Sequence, residues 1–255
     1  MKIRRKAPKV SSPGRPAYVI GYSFDDPSLT DLTLWFDREY GGPLKHVPGP
    51  PGVSPALVTL SHGPWSAGLC LPLRSDEAEQ WARSLNWSHR AAALVLPVIG
   101  VPQSKPALVL HAARLSRGLT LLTEGTAYDI VTGAYLNPSD WQDRPLAEFR
   151  PLDHVLVEHG EAPDLRQERF YTKGLAKFAL DELETYRPIG LPAPPVTRTL
   201  GDIAEAVLLL GRCPKVGEEM RFPSLGLSVQ VVRYRTDSST GTPVGYREIV
   251  WAETL

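Results

Sequence analysis

The chain has 255 residues, 42% of them apolar, and 28 Lys+Arg balance 28 Asp+Glu to a formal net charge of zero. That content buries a real core and excludes a fully disordered chain, while the charge balance argues against a globally basic nucleic-acid binder. Proline is the deviant count, at 25 residues, about twice the usual ~5%. So much proline breaks long helices, which disfavours coiled coils and bundles and favours short α+β elements joined by stiff loops.

Residues 1–16 carry Lys2, Arg4, Arg5, Lys6 and Lys9 among Pro8, Pro13 and Pro16, the composition of a basic, solvated, disordered tail. No apolar h-region follows these charges, and no stretch approaches the roughly 18 apolar residues of a membrane span. Cys70 and Cys213 form no CxxC pair, so neither a disulfide framework nor a zinc knuckle is expected. A cytoplasmic chain without membrane contact is the expectation.

Ala17–Tyr22 reads as a first strand. Asp26 is placed to cap the next helix, with Pro27 at its first position. Leu29, Leu32 and Phe36 recur at helical spacing beside Trp35, and Gly41-Gly42 ends the run. Five prolines between Pro43 and Pro55 make a stiff loop. Leu57–Leu60 and Ala67–Leu73 flank the turn Ser61–Pro64 as a hairpin. Ser75 caps a second helix whose buried stripe is Ala78, Trp81, Ala82 and Leu85. Ala91–Ile99 is a central strand, with Pro97 marking a bulge or its end. The order β-α-β-β-α-β is that of ferredoxin-like folds and defines an α+β region over 17–120, completed by a helix from Ser104 to Arg117 that Gly118 terminates.

Residues 121–255 read as a second α+β region, rich in antiparallel strands, either separate from the first or continuous with it. Ala127–Val131 and Ala134–Leu136 flank Thr132-Gly133. Val155–His159, Arg169–Thr172 and Leu183–Arg187 are strand candidates. Pro188, Pro192, Pro194 and Pro195 form a second stiff connection, after which Thr199–Asp202 reads as a capping box opening a helix lined by Ile203, Ala206, Val207 and Leu210. Leu227–Tyr234 and Tyr246–Ala252 close the chain as a hairpin around the polar Asp237–Gly241 loop.

No P-loop or GxGxxG is present, and Ser66 misses the spacing of a nucleophile elbow by one residue. The densest metal-type cluster is Asp153, His154, Glu158 and His159. Strand alternation sends its members to opposite faces, so no metal site is expected there. Glu182 and Glu184 share one strand face and are the candidate acid/base pair. Arg233, Tyr234, Arg235, Tyr246 and Arg247 offer the aromatic-basic mixture of an RNA-binding sheet without its RNP pattern, so nucleic-acid binding is disfavoured.

The run Phe170-Tyr171-Thr172-Lys173-Gly174-Leu175-Ala176-Lys177-Phe178, then Asp181-Glu182-Leu183-Glu184, resembles the core motif of an uncharacterised bacterial family, domain of unknown function 4261. Leu200–Gly211 matches that family's helix and Val216-Gly217-Glu218 its glycine turn, whereas Ala179 stands where the family has glycine. The likeness spans about 50 residues and implies α+β architecture and a bacterial source, with no activity attached. Read physically, Gly174 marks a tight turn after a strand, and Thr172, Lys173 and Gly174 end that strand where backbone N–H groups can hold an anion.

These readings assign no catalytic residue, metal or cofactor. They lead to a non-enzymatic protein that works through protein contacts (a regulator, scaffold component or immunity-like partner), with Trp35, Trp65, Trp87 and Trp141 as anchors if exposed. The alternative is an enzyme or small-ligand binder with a pocket formed by Thr172, Lys173, Gly174, Glu182 and Glu184.

Overall fold

A computed structural model describes residues 17–23, 25–47, 57–70, 76–87, 91–97, 105–238 and 243–253. The basic tail, the Ser75 and Ser104 caps, most of the first proline-rich loop and the centre of the Asp237–Gly241 loop lie outside the described residues. The chain divides into two units, Met1–Glu148 and Phe149–Leu255.

In the first unit the elements run β1 (Tyr18–Tyr22), α1 (Leu29–Tyr40), β2 (Lys45–Val47), β3 (Leu57–His62), β4 (Trp65–Cys70), α2 (Asp76–Ser84), β5 (Ala91–Pro97), α3 (Lys105–Thr123), β6 (Thr126–Asp129), β7 (Tyr135–Leu136) and α4 (Pro138–Gln142). The cap of α1 is Ser28, not Asp26. The Ser28 hydroxyl accepts from the Asp31 N–H at 3.0 Å and the Asp31 carboxylate accepts from the Ser28 N–H at 3.2 Å, a capping box. Asp26 accepts instead from the Tyr22 hydroxyl at 2.9 Å. The three-residue strand β2 lies inside the stretch expected to be loop.

The seven strands lie in the order β2-β3-β4-β5-β1-β6-β7, and their pairings are antiparallel. This departs from the ferredoxin-like expectation. That topology sets the first strand directly beside the one that here is β4, in parallel; instead β5 lies between them. Element order alone does not dictate pairing, and β4 and β5, although joined through a helix, pair antiparallel as neighbours.

Val19, Cys70, Ala78, Ala82 and Ile130 form the core under α2, while Tyr18 meets Trp141 of α4 on the opposite face. Helix α3 is buried along most of its length and runs straight through Gly118. A Cβ at Gly118 would come within 2.9 Å of the Trp35 ring, so this glycine serves close packing of α1 rather than ending the helix. Two arginines of α3 hold the segment after β7. Arg114 lies between the Tyr40 and Trp65 rings and donates to the Leu146 and Ala147 carbonyls at 2.8 and 2.7 Å. Arg117 donates to the Trp141 carbonyl at 3.1 Å and pairs with Glu39. The stretch 121–148, read from sequence as opening the second region, is thereby part of the first unit.

The second unit runs β8 (Leu156–Glu161), β9 (Gln167–Lys173), β10 (Glu182–Pro188), α5 (Ala193–Leu210), β11 (Glu219–Phe222), β12 (Leu227–Asp237) and β13 (Val244–Glu253). Its sheet order is β11-β12-β13-β10-β9-β8, with β10 and β13 parallel and the other pairs antiparallel. Helix α5 starts six residues before the expected capping box. Pro194 and Pro195 sit in its first turn, where a missing N–H has no helical partner to lose. Leu200, Ile203, Ala204 and Val207 are buried on it, and it packs against β8 and β9. The architecture is mixed α+β in both units, with mainly antiparallel sheets.

His111 of α3 is fully buried, and its Nε2 donates to the Leu60 carbonyl at 3.0 Å. Burial pushes its pKa down to about 4, below that of the unfolded chain. The neutral form therefore stabilises the first unit fully above pH ~6.5, and that contribution is lost as pH falls toward 4, costing about 2 kcal/mol by pH ~5. Five of the six tryptophans belong to this unit, so tryptophan fluorescence during denaturant unfolding reads it selectively. His111→Gln, which keeps a donor for Leu60, is expected to remove most of this slope between pH 7.5 and 5; an unchanged slope would assign it to other groups.

Candidate functional site

The family-like motif builds a corner between β9 and β10. Strand β9 ends at Lys173, Gly174 adopts φ +126°, and Leu175–Phe178 makes one 3-10 turn before β10 begins. Only glycine suits this conformation, and a Cβ there would run into the His154 carbonyl oxygen. The backbone N–H groups of Gly174, Leu175 and Ala176 converge as a nest for an anion. The anion they hold is Glu182: its carboxylate accepts from these three groups at 2.9, 3.3 and 3.0 Å and from the Thr172 hydroxyl at 2.7 Å. Thr172 Oγ1 in turn accepts from the Leu183 N–H at 2.8 Å. Thr172, Gly174 and Glu182, expected as the start of a ligand pocket, do come together, and they satisfy one another.

Glu184 and Lys173 belong to a second group, on the sheet face away from α5. Glu184 is fully buried between two guanidinium groups, with Arg169 Nε at 2.8 Å and Arg235 Nε and Nη2 at 2.8 and 2.6 Å. The Arg169 guanidinium lies over the Tyr171 and Tyr246 rings, 4.0 and 4.8 Å from their centroids, and Arg235 lies 4.5 Å from that of Tyr246. Hydrogen bonding to Glu184 raises the Arg235 pKa. Lys173 pairs with Glu158 at 2.8 Å, and the same carboxylate accepts the Tyr171 hydroxyl at 2.7 Å. Burial, then that hydrogen bond, pushes the Tyr171 pKa up to about 12. Glu182 and Glu184 thus hold different partners and share none.

The histidine cluster separates, though alternation governs only two of its members. Asp153 ends a 3-10 turn and His154, buried and stacked on Phe149, precedes β8, while on β8 Glu158 faces Tyr171 and His159 stacks on Phe170 with its Nε2 3.5 Å from Glu168. Among the described residues no three His, Cys, Asp or Glu side chains gather as metal ligands. Cys213 donates its thiol to the Asp181 carbonyl at 3.4 Å, and burial pushes its pKa up to about 11, which keeps it a poor nucleophile at neutral pH.

The final hairpin's basic residues are spent on carboxylates: Arg233 on Glu248 at 2.8 Å, Arg235 on Glu184 and Asp237, and Arg247 on Asp181 at 2.6 Å. The expected tryptophan anchors are not exposed. Trp35 and Trp141 are buried, Trp65 is half-buried under Arg114, and Trp87 packs on the core under α2.

What sequence reading missed lies at the other end of β10 from Glu182. The Ile189 N–H donates to the Arg166 carbonyl at 3.1 Å and ties the β8–β9 turn to the loop after β10. These two loops expose Leu165 at 86%, Ile189 at 57% and Leu191 at 52%. Beside them is a cavity of about 460 Å³ lined by Pro163, Asp164, Gln167, Tyr186, Val232, Arg233 and Glu248. An apolar side chain flanked by Asp, Arg and Pro in a turn shows no periodicity, so only its exposure reveals it. Comparison with known proteins finds no matching family, no similar curated protein and no similar solved structure. No helix among the described residues is long and apolar enough to cross a membrane.

Replacing Glu182 by Ala leaves three N–H groups, two of them buried, without an acceptor, and the second unit is expected to lose about 3–5 kcal/mol. Thr172→Val removes the hydroxyl alone and is expected to cost about 1–2 kcal/mol. Denaturant titration followed by far-UV circular dichroism measures both, and a Glu182→Ala loss below that of Thr172→Val would show that the nest does not depend on this anion.

Proposed function

We propose that this is a non-enzymatic cytoplasmic bacterial protein that acts through protein contacts, as a regulator, a scaffold component or an immunity-like partner. The supporting observation is a contrast within the second unit. The charged groups around Glu184 are paired with one another and the Glu182 nest is filled, whereas Leu165, Ile189 and Leu191 expose apolar surface at one end of the sheet. Catalysis needs ionisable groups with spare hydrogen-bonding capacity at a reacting atom, and the two carboxylates here hold internal donors instead. Recognition needs apolar side chains whose burial awaits a partner.

Nucleic-acid binding is the weaker reading of the same face, because its arginines and lysine are matched by Glu158, Glu184, Asp237 and Glu248 and leave little net positive potential. The likeness of residues 170–184 to domain of unknown function 4261 fits a protein whose motif residues build a structural corner rather than a reaction centre.

The test is affinity capture from native cell lysate with the wild-type chain and the double variant Leu165→Glu/Ile189→Glu, read by quantitative mass spectrometry. Both positions are exposed, so the melting temperature of the variant is expected to stay near that of wild type. At least one protein is expected to be retained by wild type and reduced about tenfold or more by the variant. Equal retention, or no retention above a bare-resin control, would overturn the proposal.

A further inference from the structure

We infer that the cavity beside the exposed loops receives an arginine side chain from the partner protein; this rests on the protein-contact reading above and names its central contact. The lining carries two carboxylates, Asp164 and Glu248, against one cation, Arg233, so the cavity has a net charge of −1. Arg233 and Glu248 are paired at 2.8 Å. The unspent charge belongs to Asp164, which among the described residues accepts the Arg166 N–H alone, through Oδ1 at 3.0 Å. Asp164 is exposed at the rim of the cavity, so Oδ2 is open to a charge-assisted donor arriving from a partner.

The remaining lining selects a guanidinium over an ammonium. Tyr186 contributes an aromatic ring on which a flat cation can stack. That ring is only loosely covered, since the Arg233 guanidinium carbon stands 5.9 Å from its centroid and the Arg233 side chain is itself largely exposed. Gln167 adds an amide oxygen as a further acceptor, and Pro163 and Val232 supply apolar walls for the methylene stem. A volume of about 460 Å³ suits an extended side chain rather than a bare ion. Around this charged centre stand the exposed apolar residues, Leu165 directly following Asp164 in sequence. Arginine is one of the residues most enriched at interface hot spots, where apolar neighbours close over it on binding. Anionic ligands fit poorly, because the Asp164 and Glu248 carboxylates outnumber the one cation.

The probes are N-acetyl-arginine amide, its uncharged isostere N-acetyl-citrulline amide and N-acetyl-lysine amide, titrated into the full ¹⁵N-labelled chain. Arginine amide is expected to shift the backbone amides of Asp164–Gln167, Tyr186 and Val232–Arg233 with a Kd on the order of 1 mM. Lysine amide is expected to bind several-fold more weakly, and citrulline amide about tenfold more weakly. Asp164→Asn is expected to weaken arginine amide about tenfold while leaving the spectrum elsewhere unchanged. Equal binding of arginine and citrulline amides, shifts located elsewhere, or an unaltered affinity in Asp164→Asn would each overturn the inference. Leu165→Glu/Ile189→Glu retains Asp164, so its titration separates the two readings. Loss of lysate capture with arginine-amide binding intact places the failure in the apolar rim, and capture unaffected by Asp164→Asn removes the arginine anchor while the protein-contact reading stands.

Discussion

A carboxylate taken out of water must find donors for its charge, and on β10 two of them do so within three residues. Glu182 turns back into the Gly174 corner and draws three backbone N–H groups and a hydroxyl onto itself. Glu184 stays on the face away from α5 and draws in two guanidinium groups. The first arrangement fixes where β9 ends and β10 begins, because a corner without its anion would leave three donors orphaned, two of them buried. The second ties β9, β10 and β12 together through side chains, since Arg169 and Arg235 come from strands on either side of the β10–β13 pair. Tyr171 and Tyr246 then pack against those guanidinium groups, so these two rings are spent on internal cations.

That consumption of charge is what supports the reading through protein contacts. A glutamate pair on one strand beside a glycine turn is compatible with acid/base catalysis as long as its surroundings are unknown. Each carboxylate holds its own donors, and no proton is shared between them. The same logic applies to the basic residues of the last hairpin, whose pairing with Glu184, Asp237, Glu248 and Asp181 removes the field that would attract phosphate. The Asp164 carboxylate and the side chains of Leu165, Ile189 and Leu191 stay exposed at the end of β10 away from the motif.

Periodicity and punctuation made most elements legible. The strand at Tyr18–Tyr22, the hairpin across Gly63, the stripe of α2 and the closing hairpin all follow from alternation, helical spacing and turn residues. The errors arose where one residue type serves two physical purposes. Gly118 reads as a helix end but is a contact surface for Trp35. Pro194 and Pro195 read as a linker but begin α5. Asp26 reads as a cap, yet Ser28, two residues later, has the partner three positions on that a capping box requires. The nest at Gly174 was legible as a place for an anion; that the anion is Glu182 was not, because it requires the β9–β10 register. Strand order in the first unit was hidden for the same reason, since the pairing of β5 with both β1 and β4 is a long-range outcome that local pattern does not encode.

One irregularity in β12 joins the sheet's chemistry to its proposed recognition end. Val229 and Val231 are buried in the core, and strict alternation would carry Arg233 and Arg235 to that same face. The register instead slips between Val231, opposite Ile249, and Arg233, opposite Glu248, leaving Val232 as the extra residue of a bulge. The slip turns both arginines to the outer face, where Arg235 reaches Glu184 and Arg233 reaches Glu248. It also leaves Val232 without a cross-strand partner, half exposed and lining the cavity beside Tyr186. Removing the bulge would send two guanidinium groups toward the core beneath α5, where burying them unpaired costs several kcal/mol each. The closed ion network and the apolar cavity wall therefore have a common origin, a single residue inserted into one strand.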